Sequence, residues 1–306
     1  MIDIELEVNP DFLKEEWRCG HFVSSKTKEI WAVQIDLLMK LDKVCKLHGL
    51  NYCVGAGTLL GAVRHGGYIP WDDDIDVYML REDYDQLMSL ADEFQDPYFL
   101  QSSLTEKNLL RTYSRLRNGN TTGTTKVDSL RDINKGLFID IFPLDGVGTN
   151  KIVDRIQTIN NFFLVRVYNC FNASKLDYKK SGEKIGKKLR FQGLLGKLFV
   201  PNKNLVYKLY EANIKRCSVK GIQMWGNRTI RFDCPKSRRP LEDYRDLIYL
   251  PFEFIQVPAP RNYDSILRQQ YGDYMKIPKN KGQNMHGELI ISTNYSYDDP
   301  RRLTEK

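Results

Sequence analysis

Four carboxylates crowd the segment Trp71-Asp72-Asp73-Asp74-Ile75-Asp76-Val77 at the start of an apolar stretch. In extended chain alternate side chains share a face, so Asp72, Asp74 and Asp76 are expected to project together while Ile75 and Val77 pack behind them. Like charges held this close repel unless a cation or a proton intervenes, and oxygen donors of this kind suit magnesium or manganese. A solvated acidic loop is the ordinary reading of such a run. Against it stands Asp140 within Leu137-Phe138-Ile139-Asp140-Ile141-Phe142, since a carboxylate flanked by apolar residues on a buried strand is costly unless paired or metal-bound. If the two strands are neighbours, Asp74, Asp76 and Asp140 converge as the metal and catalytic set. Asp72 is then a further ligand, with Asp73 behind it. A helix-loop-helix calcium site is excluded, because counting from Asp72 it needs glycine at the sixth position and glutamate at the twelfth, where the chain has Val77 and Asp83.

Phosphate chemistry is suggested by Gly55-Ala56-Gly57-Thr58. Glycines between strand and helix let the backbone turn sharply and present amides, and Gly57 and Thr58 would offer an amide and a hydroxyl to phosphate oxygens held by the carboxylates' metal. Arg64 and His65, between this turn and the acidic run, are candidates for a donor diphosphate or ordinary surface residues.

The elements that must position these groups follow from periodicity. Ile30, Val33, Leu37, Leu38, Leu41 and Val44 recur at helical spacing over Glu29 to Leu47, and Gly49 is a plausible stop. Asn51 to Val54 reads as a strand, Leu59 to Val63 as the start of a helix, Ile75 to Leu80 as a strand and Arg81 to Phe94 as a helix. Leu110 to Leu116 and Gly136 to Phe142 read as strands, the second stopped by Pro143. Helices are expected over Lys151 to Phe171, Asn204 to Cys217 and Tyr263 to Tyr271. The alternation implies a mixed α/β sheet. A glycine-threonine turn, an Asp-x-Asp strand and a later single-Asp strand are also the order of parts in the nucleotidyltransferase fold.

At 306 residues, 42% hydrophobic and 28% charged, the chain can bury a sizeable core. Its acidic first residues are the reverse of a secretory signal, and no apolar run approaches the roughly 20 residues of a membrane-spanning helix. A cytoplasmic place, at most peripheral at an inner membrane face, is the expectation. The six cysteines read as reduced thiols, and Cys45, His48 and Cys53 lack the fourth ligand of a structural zinc site. The formal charge of +7 is concentrated between Lys175 and Arg216, where twelve Lys and Arg face Asp177, Glu183 and Glu211. Such a segment favours anionic partners. Within it Lys184 to Phe199 has Ile185, Leu189, Leu195, Leu198 and Phe199 near helical spacing; a surface helix packing that face on the core is the ordinary reading, and a basic amphipathic helix on anionic membrane the alternative. No nucleic-acid motif is present.

The segment from Gly57 to Val77, GTLLGAVRHGGYIPWDDDIDV, closely resembles the signature of the LicD family. The similarity continues through Arg81, Asp83-Tyr84, Arg115 with Asn120-Thr121, Phe138 to Asp145, Tyr271-Gly272-Asp273-Tyr274 and His286, so it spans roughly Ile30 to His286. Relatives are similar to choline-phosphate transferases of bacterial surface glycans and to fukutin-related ribitol-phosphate transferases. The resemblance implies a nucleotidyltransferase-like core in a mixed α+β fold with a helical insertion and a C-terminal elaboration. It implies transfer of an alcohol phosphate from a CDP-activated donor to a glycan or lipid-linked glycan, with magnesium or manganese. Arg115 and His286 become further donor-phosphate candidates, Arg115 standing where many relatives carry lysine. The expected partition is 1–29 as an extension, 30–145 as the catalytic core, 146–244 as a helical basic region and 245–306 as a segment closing on the core. Transfer of a nucleotide monophosphate by the same fold, and a non-catalytic glycan-binding role, are the alternatives.

Overall fold

The computed structural model describes residues 4–146, 150–179, 186–200, 202–216, 224–226, 238–278 and 289–303. A short hairpin, β1 (Glu16–Arg18) and β2 (His21–Val23), leads into α1 (Ser25–His48), β3 (Cys53–Val54), α2 (Ala56–His65), β4 (Asp76–Leu80) and α3 (Arg81–Ser89). Strands β5 (Tyr98–Gln101), β6 (Ser114–Asn118), β7 (Thr122–Thr125) and β8 (Leu137–Gly146) follow, then α4 (Lys151–Ser174), α5 (Lys187–Phe199) and α6 (Lys203–Ile214). The chain continues through β9 (Met224–Gly226), β10 (Arg239–Pro240), β11 (Leu247–Phe252), β12 (Ile255–Pro260), α7 (Tyr263–Tyr271) and β13 (Leu289–Ser292).

The main sheet runs in the order β10-β9-β8-β4-β3, with β6 pairing β8 and β5 pairing β6. At its centre β4 and β8 are parallel, Asp76 opposite Asp140, while β6 is antiparallel to β8 with Arg115 opposite Asp140. Helix α1 packs on this sheet: Trp31, Val33, Ile35, Leu37, Leu38 and Leu41 are fully buried against Ile139, Ile141 and Val77. It is capped as its sequence implies, Ser24 accepting the Thr27 amide at 3.1 Å and Gly49 taking the left-handed conformation at φ 65°. The same core takes in Phe252, Val257, Ala259, Ile266 and Tyr274, so the segment after 245 shares it. Helices α4 and α6 instead bury Tyr168, Phe171, Tyr210 and Ile214 with Leu110 in a second, smaller core.

Several boundaries differ from expectation. The chain becomes strand only at Asp76, so Asp72 and Asp74 lie in the approach to β4 and the shared strand face does not extend back to them. Strand β6 begins at Ser114, because Leu110 turns away to the second core. Pro143 does not stop β8: the Asp140 amide donates to Ile75, so alternation turns the Pro143 nitrogen toward the other edge, where pairing with β6 has already ended at Ile141. Helix α3 ends at Ser89, followed by a 3-10 turn over Ala91–Glu93. Cys45 and Cys53 are free and buried, and burial pushes both thiols up to about 12, the wrong chemistry for a zinc thiolate. Cys217 and Cys234 lie outside the described residues. No described helix is long and apolar enough to cross a membrane.

Candidate active site

Register across three strands builds the site's floor. Because Asp76, Asp140 and Arg115 are direct partners on β4, β8 and β6, their side chains emerge in one row on one face of the sheet. Arg115 donates from Nε to Asp140 Oδ1 at 2.5 Å and from Nη2 to Oδ2 at 3.4 Å, with its guanidinium carbon 3.6 Å from the centre of the Phe138 ring. A lysine could not make that forked contact while stacking on the ring. Asp76 is half-buried beside Asp74, Asp140 and Asp72, and desolvation together with those charges drives its carboxyl well above the usual carboxylate range.

The acidic approach is held by its backbone. Trp31 Nε1 donates to the Asp72 carbonyl at 3.1 Å, and Gln34 Nε2 donates to the Asp73 carbonyl at 2.7 Å. Gln34 Oε1 in turn accepts from the Tyr68 hydroxyl at 2.9 Å, and Tyr68 stacks on Trp31 with centroids 4.4 Å apart. Two carbonyls of the acidic approach are thereby fixed on α1. One carboxylate oxygen from each of Asp72, Asp73 and Asp74 lies within 4.8 Å of the others. Asp73 thus stands in one group with Asp72 and Asp74, while Asp76 and Asp140 line the strand floor. Burial, then Asp74 and Asp73, push the Asp72 carboxyl up to about 8. A half-buried group of hard oxygens, held this close together, fits a divalent cation of the magnesium or manganese type.

The turn before α2 is folded against these carboxylates. Gly55 donates its amide to the Asp76 carbonyl at 2.9 Å, and the Asp76 amide donates to Thr58 Oγ1 at 2.8 Å. A Cβ on Gly57 would meet Asp72 Oδ2 at 2.6 Å, so glycine seats that carboxylate. Between the glycines Ala56 sits at φ 42°, a left-handed conformation that costs an L-residue about 1–2 kcal/mol.

Arg64 and His65 close the other end of α2. Arg64 donates from Nε to His65 Nε2 at 2.9 Å and from Nη1 to the Tyr274 carbonyl at 2.8 Å. Burial, then the charges of Arg64 and Arg18, depress His65 to about 4, so the ring is neutral and accepts at Nε2. Tyr271 lies within the fields of Asp76, Asp72, Asp74 and Arg64, with its phenol raised by burial and by those carboxylates. His286 lies outside the described residues.

Reading residues alone misses the positioning groups Trp31, Gln34 and Ala56. The signal for Gln34 is a polar residue inside α1's apolar stripe; Ala56 carries none. A further clamp is Glu253, at φ 53°, which accepts from Arg18 at 2.5 and 2.8 Å and from the Tyr68 amide at 3.0 Å.

The family described as "LicD/FKTN/FKRP, nucleotidyltransferase domain" matches residues 49–177, which contain Asp72 to Asp76, Arg115 and Asp140. The chain is 30% identical over 263 residues to "Lipopolysaccharide cholinephosphotransferase LicD" of Haemophilus influenzae, covering 85% of this chain and 95% of that protein. Two uncharacterized proteins are similar over 89 residues: one of Rickettsia typhi at 34% identity, 27% of this chain and 29% of its own length, and one of Rickettsia prowazekii at 44%, 27% and 34%. A mixed α+β core with carboxylates converging on parallel strands, matched at this identity along nearly all of a named transferase, places the chain in the LicD family of nucleotidyltransferase-like phosphotransferases.

Proposed function

We propose that the chain transfers an alcohol phosphate, such as phosphocholine or ribitol phosphate, from a CDP-activated donor to a hydroxyl of a cell-surface glycan or its lipid-linked precursor. The observation that carries the reading is the row of Asp76, Asp140 and Arg115 beneath the group of Asp72, Asp73 and Asp74. The relative's name gives choline phosphate and lipopolysaccharide as its own substrates. We place the reaction in the cytoplasm, where nucleotide-activated donors are formed.

In this reading Asp74 and Asp76, with Asp72 and Asp140, hold magnesium or manganese, which when bound neutralises the donor diphosphate and acidifies an acceptor hydroxyl. The acceptor oxygen forms a bond to the phosphorus carrying the alcohol as the bond from that phosphorus to the bridging oxygen breaks, and CMP departs. The hydroxyl proton goes to a carboxylate. Asp140 is the candidate, and it becomes available when Arg115 exchanges it for a diphosphate oxygen, a partner of equal fork geometry and greater charge. Gly57 and Thr58 act from beneath, seating Asp72 and fixing Asp76. Arg64 and His65, with His286, form the outer contacts to the donor.

The test is binding of CDP-choline, CDP-ribitol and CDP-glycerol with and without magnesium, for the parent and for Asp74→Ala with Asp76→Ala. Magnesium-dependent binding of one donor, abolished in the double variant, is expected, with CMP as the product of turnover. Absence of binding by every donor in folded parent protein would overturn the reading; pyrophosphate as product would indicate transfer of a nucleotide monophosphate.

A further inference from the structure

Helix α5 is turned the opposite way from a core-packing helix. Its inward face is made of small residues: a Cβ on Gly196 would meet the Cys170 carbonyl oxygen of α4 at 2.0 Å, and one on Gly193 the Ala173 carbonyl oxygen at 3.0 Å, so the two helices meet backbone to backbone. The large apolar residues face outward. Phe191, Leu194 and Leu198 are 60%, 53% and 63% exposed, and Phe199 beyond them 74%. Of the apolar positions expected to reach the core, Leu189 and Leu195 are half-buried, Leu198 and Phe199 exposed, and Ile185 lies outside the described residues.

Spacings of three and four residues put Phe191, Leu194 and Leu198 on one stripe. On a helix of this pitch Lys188 falls along one flank of that stripe, Arg190 and Lys197 along the other, and Lys187 one turn before Phe191. The helix sequence KKLRFQGLLGKLF contains no acid. The neighbouring α4 repeats the outward turn, with Ile152, Ile156, Ile159 and Phe163 all exposed.

We propose that α5 seats the protein on an anionic lipid bilayer, lying in the surface plane with Phe191, Leu194 and Leu198 among the acyl chains and the flanking cations at the level of the lipid phosphates. An apolar stripe between cationic flanks has the charge complement of such a surface and the amphipathic form of an interfacial helix. A second copy of the chain would bring the same cationic, acid-free helix and set like charges together. The inference needs no donor or acceptor, so its outcome is separate from that of the transfer reading.

The experiment is co-sedimentation of the full chain with vesicles of phosphatidylcholine alone and with about one third phosphatidylglycerol. Binding is expected only to the anionic vesicles and should weaken at least about tenfold on raising salt or in Lys188→Glu with Arg190→Glu. Leu194→Glu with Leu198→Glu should weaken it as much, and because both side chains already face water the variant's thermal unfolding should match the parent. Phe191→Trp should shift its emission to the blue on anionic vesicles. Parent protein left in the supernatant, or binding retained by the Leu194→Glu and Leu198→Glu variant, would overturn the proposal. Self-association without vesicle binding would assign the stripe to contact between copies and likewise overturn it.

Discussion

Thr58 shows how a residue chosen for one chemistry can be used for another. Its hydroxyl is buried and accepts the Asp76 amide, so it sets the first residue of β4. Thr58→Val keeps the shape and strands that amide, and should destabilise the protein by about 1–2 kcal/mol in urea titration. A side chain at Gly57 acts on the carboxylates instead: Gly57→Ala places a methyl on Asp72 Oδ2, and magnesium-dependent donor binding should fall at least about tenfold with little loss of stability. His65 gives a signature in pH. Its folded value of about 4 lies below its ordinary 6.5, so between those values the unfolded chain takes up a proton that the folded chain refuses. Stability therefore falls as pH drops through that window and is unaffected by His65 above it. His65→Gln should lose less of its melting temperature than the parent between about pH 7.5 and pH 4.5.

At the scale of the element, α1 is both the core's largest contributor and the site's support. Its apolar period was legible, as were β4, β8 and α7, because helical and alternating patterns record which face is buried. The hydrogen bonds that Trp31 and Gln34 send to the Asp72 and Asp73 carbonyls were not, since they join positions about forty residues apart and leave no local pattern. The start of β6 was misplaced for a related reason: Leu110 looks like strand, but it exchanges hydrogen bonds with Asn172 of α4, its amide donating at 2.9 Å and its carbonyl accepting at 2.7 Å. The convergence of Asp76 with Asp140 was readable because each is an acid in an apolar run, whereas the partnership of Asp140 with Arg115 depended on register. Gln34→Leu tests the support directly. It leaves the Asp73 carbonyl and the Tyr68 hydroxyl without that amide, which should cost about 1–3 kcal/mol in stability. Donor binding should fall further than that loss explains, because the acidic approach loses its anchor. Equal donor affinity in variant and parent would show that α1 supports the fold alone.

The whole molecule joins a large sheet core to a smaller helical one, and beside the packing of Leu110 part of the joint is electrostatic. Arg81, the first residue of α3, donates from Nε to Asp145 Oδ1 at 2.6 Å near the end of β8, and its Nη1 lies 3.4 Å from Asp85 and 3.7 Å from Glu211 of α6. Lys215, just past α6, pairs with Asp85 at 2.6 Å and Glu211 at 2.9 Å. Arg81 and Asp145 are both buried, and the pair holds the Arg81 guanidinium more firmly charged than in water despite the desolvation that opposes it. Removing one partner of such a pair leaves an uncompensated buried charge, at a cost of about 3–5 kcal/mol. In Arg81→Met the loss should not spread evenly. Asp145 would draw in water at the end of β8, and α6 would lose its tie to α3, while α1 and the centre of the sheet keep every contact they have. Hydrogen exchange followed by peptide should therefore quicken in α6 and the end of β8 well before it quickens in α1, the pattern of a subglobal opening along the boundary between two cores. Arg81→Met with Asp145→Leu, which removes both charges together, should recover most of the protection. If exchange in α1 and α6 rose together in the single variant, the two cores would be one cooperative unit, and the α5 surface would be as rigidly fixed to the acidic site as the strands are to one another.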